Sequence, residues 1–152
     1  MSMIKLTGEE SNFEAIAKGI LRGFAKDSTE WGTGNNPEFA IKKYREMIQN
    51  GNGVFFLSVD GDRIQGGIGG IKGPDFHDGV LYAIETFWFV YPEYRQAGVG
   101  AELLNTFEEW GRSNGCKKVA MIHLVDSYPE VLKRFYESSG YHLAELHYVK
   151  DL

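Results

Sequence analysis

Apolar residues along this chain switch between a helical spacing and an extended one. From Glu9 onward, Phe13, Ile16, Ala17, Ile20, Leu21 and Phe24 recur at three and four residues, which predicts a helix with one apolar face. Met3 to Thr7, just before it, alternates apolar and polar residues and predicts a short strand. A second helix is expected over Pro37 to Gln49. There Ala40, Ile41, Tyr44, Met47 and Ile48 share a face, Asn36 can cap the first turn, Pro37 takes the first position, and Asn50-Gly51-Asn52-Gly53 stops the helix. Between the two helices, Asp27 to Pro37 is polar and rich in turn residues, so it reads as a loop.

The middle of the chain reads as strands. Val54 to Val59 is apolar, β-branched and aromatic, and Asp60-Gly61-Asp62 is a hairpin signal leading into Arg63 to Ile71. The glycines of that return strand, concentrated in Gly66-Gly67-Ile68-Gly69-Gly70, leave room for something to lie against the backbone. A turn over Gly73 to Gly79 precedes the longest strand candidate, Val80 to Val90, whose aromatic run is interrupted by one acid, Glu85. Val99, Leu103, Leu104, Phe107 and Trp110 then mark a helix closed by Gly115, and Lys117 to Val125 reads as a strand. A strand, helix and strand in succession imply a parallel pair joined by a crossover. Ser127-Tyr128-Pro129-Glu130 opens a further helix through Val131, Leu132, Phe135 and Tyr136 that ends at Gly140, and Tyr141 to Lys150 is expected to be a last strand.

Composition narrows the class. The chain has 152 residues, 43% of them hydrophobic and 14% aromatic, which suits one globular domain over 1–152 and not a disordered chain. No apolar run approaches the roughly 18 residues of a membrane span, and the first residues lack a signal-peptide core, so neither a membrane nor export is expected and the cytoplasm is the default. Cys116 stands alone and cannot form an internal disulfide, in keeping with a reducing compartment. A net charge of -5 argues against a nucleic-acid partner, which needs a basic face, and suits a cationic substrate better. His77, His142 and His147 show no ligand spacing with a carboxylate or thiol, so no metal is expected.

One short stretch carries most of the chemistry. Arg95-Gln96-Ala97-Gly98-Val99-Gly100 lies between the long strand and an amphipathic helix, where glycines permit close backbone approach and the first helical N–H groups lack partners. That describes an anion site, and equally an ordinary glycine-containing turn. In context, the run Phe89-Val90-Tyr91-Pro92-Glu93-Tyr94-Arg95-Gln96-Ala97-Gly98-Val99-Gly100 resembles the GCN5-related N-acetyltransferase (GNAT) family. The family's acyl-CoA signature has Gln or Arg, two variable residues, Gly, one variable residue, then Gly or Ala. It falls on Arg95, Gly98 and Gly100. Tyr136-Glu137-Ser138-Ser139-Gly140-Tyr141 looks like the family's second motif of Tyr, acid, two residues, Gly and an aromatic. Likeness at the level of sequence is confined to about 80 to 141.

The resemblance implies a mixed α/β fold with the order β-α-α-β-β-β-α-β-α-β and acetyl-CoA as acyl donor. It implies that backbone N–H groups of Gln96, Ala97, Gly98, Val99, Gly100 and Ala101 bind the pyrophosphate, with Arg95 adding charge or bracing the loop. It also implies that the backbone of Trp88, Phe89 and Val90 pairs with the pantetheine arm. Two positions depart from the family pattern: Ala97 stands where a basic residue is frequent, which could weaken phosphate binding, and Pro129 where an asparagine is frequent, whose contact is either lost or supplied by Asp126 or Ser127.

Transfer to an amine requires a neutral nucleophile, whereas an amine with a pKa of about 10.4 is almost wholly protonated at pH 7. Glu85 is the first candidate for the base, unless it is a salt-bridged or solvent-facing acid; His123 is the second, unless it is a structural histidine. Tyr136 matches the family's tyrosine that protonates the departing thiolate, though its apolar neighbours also suit a packing role. The expected acceptor is a small-molecule or peptide amine, admitted near Asp27 to Pro37 or Gly73 to Gly79, where Asp27, Glu30, Asp75 and Asp78 could attract a cation and Trp31 could stack on it. A non-catalytic acyl-CoA-binding module is the alternative function, and the oligomeric state, a homodimer included, stays open.

Overall fold

The computed structural model describes residues 1–27 and 36–152. Its elements are β1 (Ser2–Lys5), α1 (Phe13–Lys26), α2 (Pro37–Gln49), β2 (Gly53–Asp60), β3 (Arg63–Pro74), β4 (Leu81–Val90), a 3-10 turn at Pro92–Tyr94, α3 (Val99–Ser113), β5 (Lys118–Ala120) and α4 (Pro129–Ser138). The expected start of α2 is formed as read: the Asn36 side chain accepts the Phe39 N–H at 3.0 Å and Pro37 opens the helix. The Glu30 and Trp31 of the expected acceptor loop lie outside the described residues. None of the described helices is long and apolar enough to cross a membrane.

The strands form one five-stranded sheet in the order β1-β2-β3-β4-β5. All neighbours are antiparallel except β4 and β5, the parallel pair expected from the crossover through α3. Helices α1 and α2 bury Phe13, Ile20 and Ile41 against one face, over Phe55, Phe87 and Phe89. Helix α3 buries Leu103, Phe107 and Trp110 against the other, over Val54 and Ile68. The glycines of β3 do leave room for close approach, and the protein's own rings fill it: a Cβ on Gly69 would clash with the Phe87 ring, and one on Gly70 with that of Phe107.

Strands β4 and β5 pair only over Tyr82–Ile84 and Lys118–Ala120. Beyond that point β4 runs on to Val90 with its outer edge unpaired, so the sheet splits. Its β3 partners mark where it bends. Gly69 faces Phe87 and Gly70 faces Glu85, leaving Thr86 as the extra residue of a β-bulge.

Two expectations fail at this edge. The strand read over Lys117 to Val125 is only Lys118–Ala120, because the bulge turns β4 away and the Glu85 carboxylate, instead of a strand, takes the Ile122 N–H at 2.8 Å. The last strand expected over Tyr141 to Lys150 is not formed. A strand of that length needs an edge of similar length, and β5 offers three residues, so Leu143, Leu146 and Tyr148 remain 73%, 71% and 95% exposed.

Candidate active site

A cavity of about 760 Å³, within the range of small-molecule sites, occupies the split and is lined from both faces of the sheet. Its floor is β4 from Ile84 to Val90. Leu21, Phe24, Ala40 and Tyr44 come from α1 and α2; Gly98, Gly100, Leu132 and Tyr136 come from α3 and α4.

The glycine loop reaches this cavity from the α3 side. Gly98 adopts φ 79, a left-handed conformation that favours glycine, as the residue preceding α3, and no side chain caps the helix. The Val99, Gly100 and Ala101 N–H groups therefore have no partner within the helix, the arrangement that binds phosphates. A Cβ on Gly100 would come to 3.3 Å of the Trp88 ring, so the glycine keeps this wall close to β4. One expected donor is already engaged, since the Ala97 N–H donates to the Tyr94 carbonyl at 3.2 Å. These residues fit an elongated ligand with a diphosphate at one end. Trp88, Phe89 and Val90 pair with β3 on one side only; on the other edge the Val90 carbonyl is taken by Arg95, and the backbone at Trp88 is left open to a ligand's amides.

Arg95 braces the loop, the second of its two expected roles. Its Nε donates to the Val90 carbonyl at 2.9 Å, one terminal nitrogen donates to the Tyr128 hydroxyl at 2.8 Å, and the other meets the Asp27 carboxylate at 2.6 Å. The guanidinium also lies 5.8 Å from the Phe89 ring centroid and 5.1 Å from that of Tyr128. Asp27, expected to attract a cationic substrate, is thus matched by a cation of the chain itself. Tyr128 holds φ 48, a strained backbone for a bulky residue at the entry to α4, and this tie helps to keep it there.

Glu85 is 3% exposed, and burial pushes its carboxyl up to about 8, with the Ile122 N–H pulling in the opposite direction. An acid held near neutrality suits a general base. The Tyr136 hydroxyl donates to the Ile122 carbonyl at 3.2 Å, so both sides of one backbone residue are held by the two candidate catalytic side chains. Burial, reinforced by the Glu85 charge, raises Tyr136 well above the ordinary phenol range, so it stays protonated, the form that a proton donor needs.

His123 does not line the cavity: its ring packs 6.2 Å from that of Tyr136, and its Nε2 is buried without a partner, as is Nε1 of Trp88. The turn over Gly73 to Gly79 does not line it either, and its Asp75 accepts from the His77 backbone and ring. Cys116 is buried in the α3 core. Among the described residues, no group of three or more His, Cys, Asp and Glu could hold a metal ion.

Sequence reasoning missed the pair formed by the Tyr44 hydroxyl and Thr86 Oγ1, 2.7 Å apart, through which α2 pins the bulge. A signal was present: adjacent polar residues at Glu85 and Thr86 break the alternation of a strand, which is what an extra residue does.

A loop of open N–H groups at a helix start, beside a split parallel strand pair, invites comparison with acyl-CoA enzymes. The aminoglycoside acetyltransferase HMB0005 from an uncultured soil metagenomic sample superposes with a TM-score of 0.78 at 20% identity, covering 100% of this chain and 99% of that one. The aminoglycoside acetyltransferase AAC(6')-Iy, in complex with the bisubstrate analogue CoA-S-monomethyl-acetylneamine, gives 0.75 at 18% identity, covering 100% of both chains. A ribosomal-protein-alanine N-acetyltransferase from Brucella melitensis gives 0.72 at 13% identity, again over 100% of both chains. At such identities these likenesses establish the fold alone. No curated protein matches the sequence significantly. The model of the Acetyltransferase (GNAT) family matches residues 21–141, a span that holds the glycine loop, the split and Tyr136, and the chain accordingly belongs to that family.

Proposed function

We propose that this acetyltransferase uses acetyl-CoA and transfers the acetyl group to a primary amine of a small molecule or peptide in the cytoplasm. The observation that carries the reading is the cavity through the split, with Glu85 and Tyr136 both in its lining and the unpartnered N–H groups of α3 at one end. When bound, the thioester supplies an activated acyl carbon. The first turn of α3 holds the diphosphate, and the free edge of β4 at Trp88 aligns the arm that bears the thioester. In its ionised form Glu85 accepts a proton from the incoming ammonium, directly or through a water, so that the neutral nitrogen can attack. The new C–N bond replaces the C–S bond, and the Tyr136 hydroxyl turns from the Ile122 carbonyl to donate to the departing thiolate. The second proton lost by the nitrogen restores the balance on that oxygen–sulfur pair, leaving amide and thiol. The raised pKa of Tyr136 keeps the hydroxyl protonated, the form in which it can donate to developing negative charge on sulfur.

The test is thiol release from acetyl-CoA with a panel of amines, alongside acetyl-CoA binding by calorimetry. Tyr136→Phe is expected to lower kcat tenfold or more with little change in acetyl-CoA affinity. An unchanged kcat would remove Tyr136 from the mechanism, and binding without turnover across a broad panel would favour a non-catalytic acyl-CoA-binding module.

A further inference from the structure

Resting on the function proposed above, the geometry points to an acceptor whose amine is carried on an apolar body, an alkyl or aromatic monoamine, in preference to a polycation. Since α3 and α4 form the donor wall, the acceptor enters against α1 and α2. That side is lined by Leu21, Phe24, Ala25, Ala40, Tyr44 and Phe87, with no charged side chain among them. Among these residues the Tyr44 hydroxyl is the polar group, and it is already paired with Thr86.

Among the described residues, the cavity lining holds three acidic or basic side chains, Asp27, Glu85 and Arg95. Asp27 and Arg95 neutralise each other at 2.6 Å. Among the described residues, that leaves Glu85, buried and directed at the split, as the one acid of the lining not already paired with a cation. A polycation would lose the hydration of several ammonium groups and find one partner, a heavy penalty for each charge left over. A monoamine uses that one partner, and every methylene it buries against the aromatic and aliphatic wall is worth about fourfold in affinity.

The experiment compares kcat/KM at saturating acetyl-CoA for linear alkylamines of increasing length, a phenylalkylamine, spermidine and sisomicin, with acetyl-CoA affinity measured separately. The expected result is a rise of roughly threefold or more per methylene until the wall is filled, with the apolar monoamines at least tenfold above both polycations. A flat length series, or a preference for spermidine or sisomicin, overturns the acceptor assignment while leaving the acetyltransferase reading intact. Binding of acetyl-CoA without turnover of any amine overturns both. Ala40→Asp adds a carboxylate to the α2 wall and is expected to raise the ratio of diamine to monoamine turnover tenfold or more. Because this is a ratio within one variant, partial loss of folded protein does not move it, and an unmoved ratio would mean that α2 does not face the acceptor.

Discussion

Glu85→Gln separates the structural work of the buried acid from its chemistry. Burial raises the carboxyl from an ordinary 4.5 to about 8. The folded state therefore holds a proton that the unfolded state has released, and stability falls as pH rises between those values, levelling off above 8. Integrated over the two titrations, the wild type loses on the order of 3 kcal/mol between pH 5 and pH 8 from this one group. Glutamine keeps the shape and can still accept the Ile122 N–H, but it does not titrate. Urea denaturation at pH 5, 6.5 and 8, followed by tryptophan fluorescence, should show the variant gaining on the wild type by about that amount as pH rises, since the other titrating groups cancel in the difference. The same variant should lose about a hundredfold or more in kcat/KM if Glu85 is the base. Parallel stability profiles would refute the buried-carboxyl argument.

Two further perturbations address the frame of the site. Gly69→Ala places a Cβ in clash with the Phe87 ring and should cost about 1–3 kcal/mol by overpacking, read as a lowered midpoint in urea; an unchanged midpoint would mean that the Phe87 ring moves freely. Arg95 and Asp27 are both largely covered, so a double-mutant cycle with Arg95→Gln and Asp27→Asn should give a coupling of about 1–2 kcal/mol in stability. Strict additivity would reduce the pair to a surface contact.

The helices and most of the sheet were legible in the sequence, because each element buries one face and its period records that. The α2 cap and the glycine loop were equally plain, since Asn36, Pro37 and Gly98 meet local backbone demands that need no distant partner. What could not be read depends on contacts between residues far apart in the chain. Asp27 looked like a lure for cations until Arg95, 68 positions away, was found beside it. Tyr141 to Lys150 has the composition of a strand, but pairing depends on an edge elsewhere, and that edge is cut short by Glu85 and its bulge. His123 was placed on a strand that ends before reaching it.

The two faces of the sheet carry separate cores, one built around Phe13, Ile20 and Phe55 and the other around Val54, Ile68 and Phe107. The α2 surface of the cavity is thus remote from the α3 packing beneath the glycine loop, and substitutions in the two should sum independently, whereas the end of α1 is coupled to the loop through Asp27 and Arg95. On the proposed function, the α2 face is where preference for an acceptor can be redesigned, or can drift, with the least disturbance of the donor's loop.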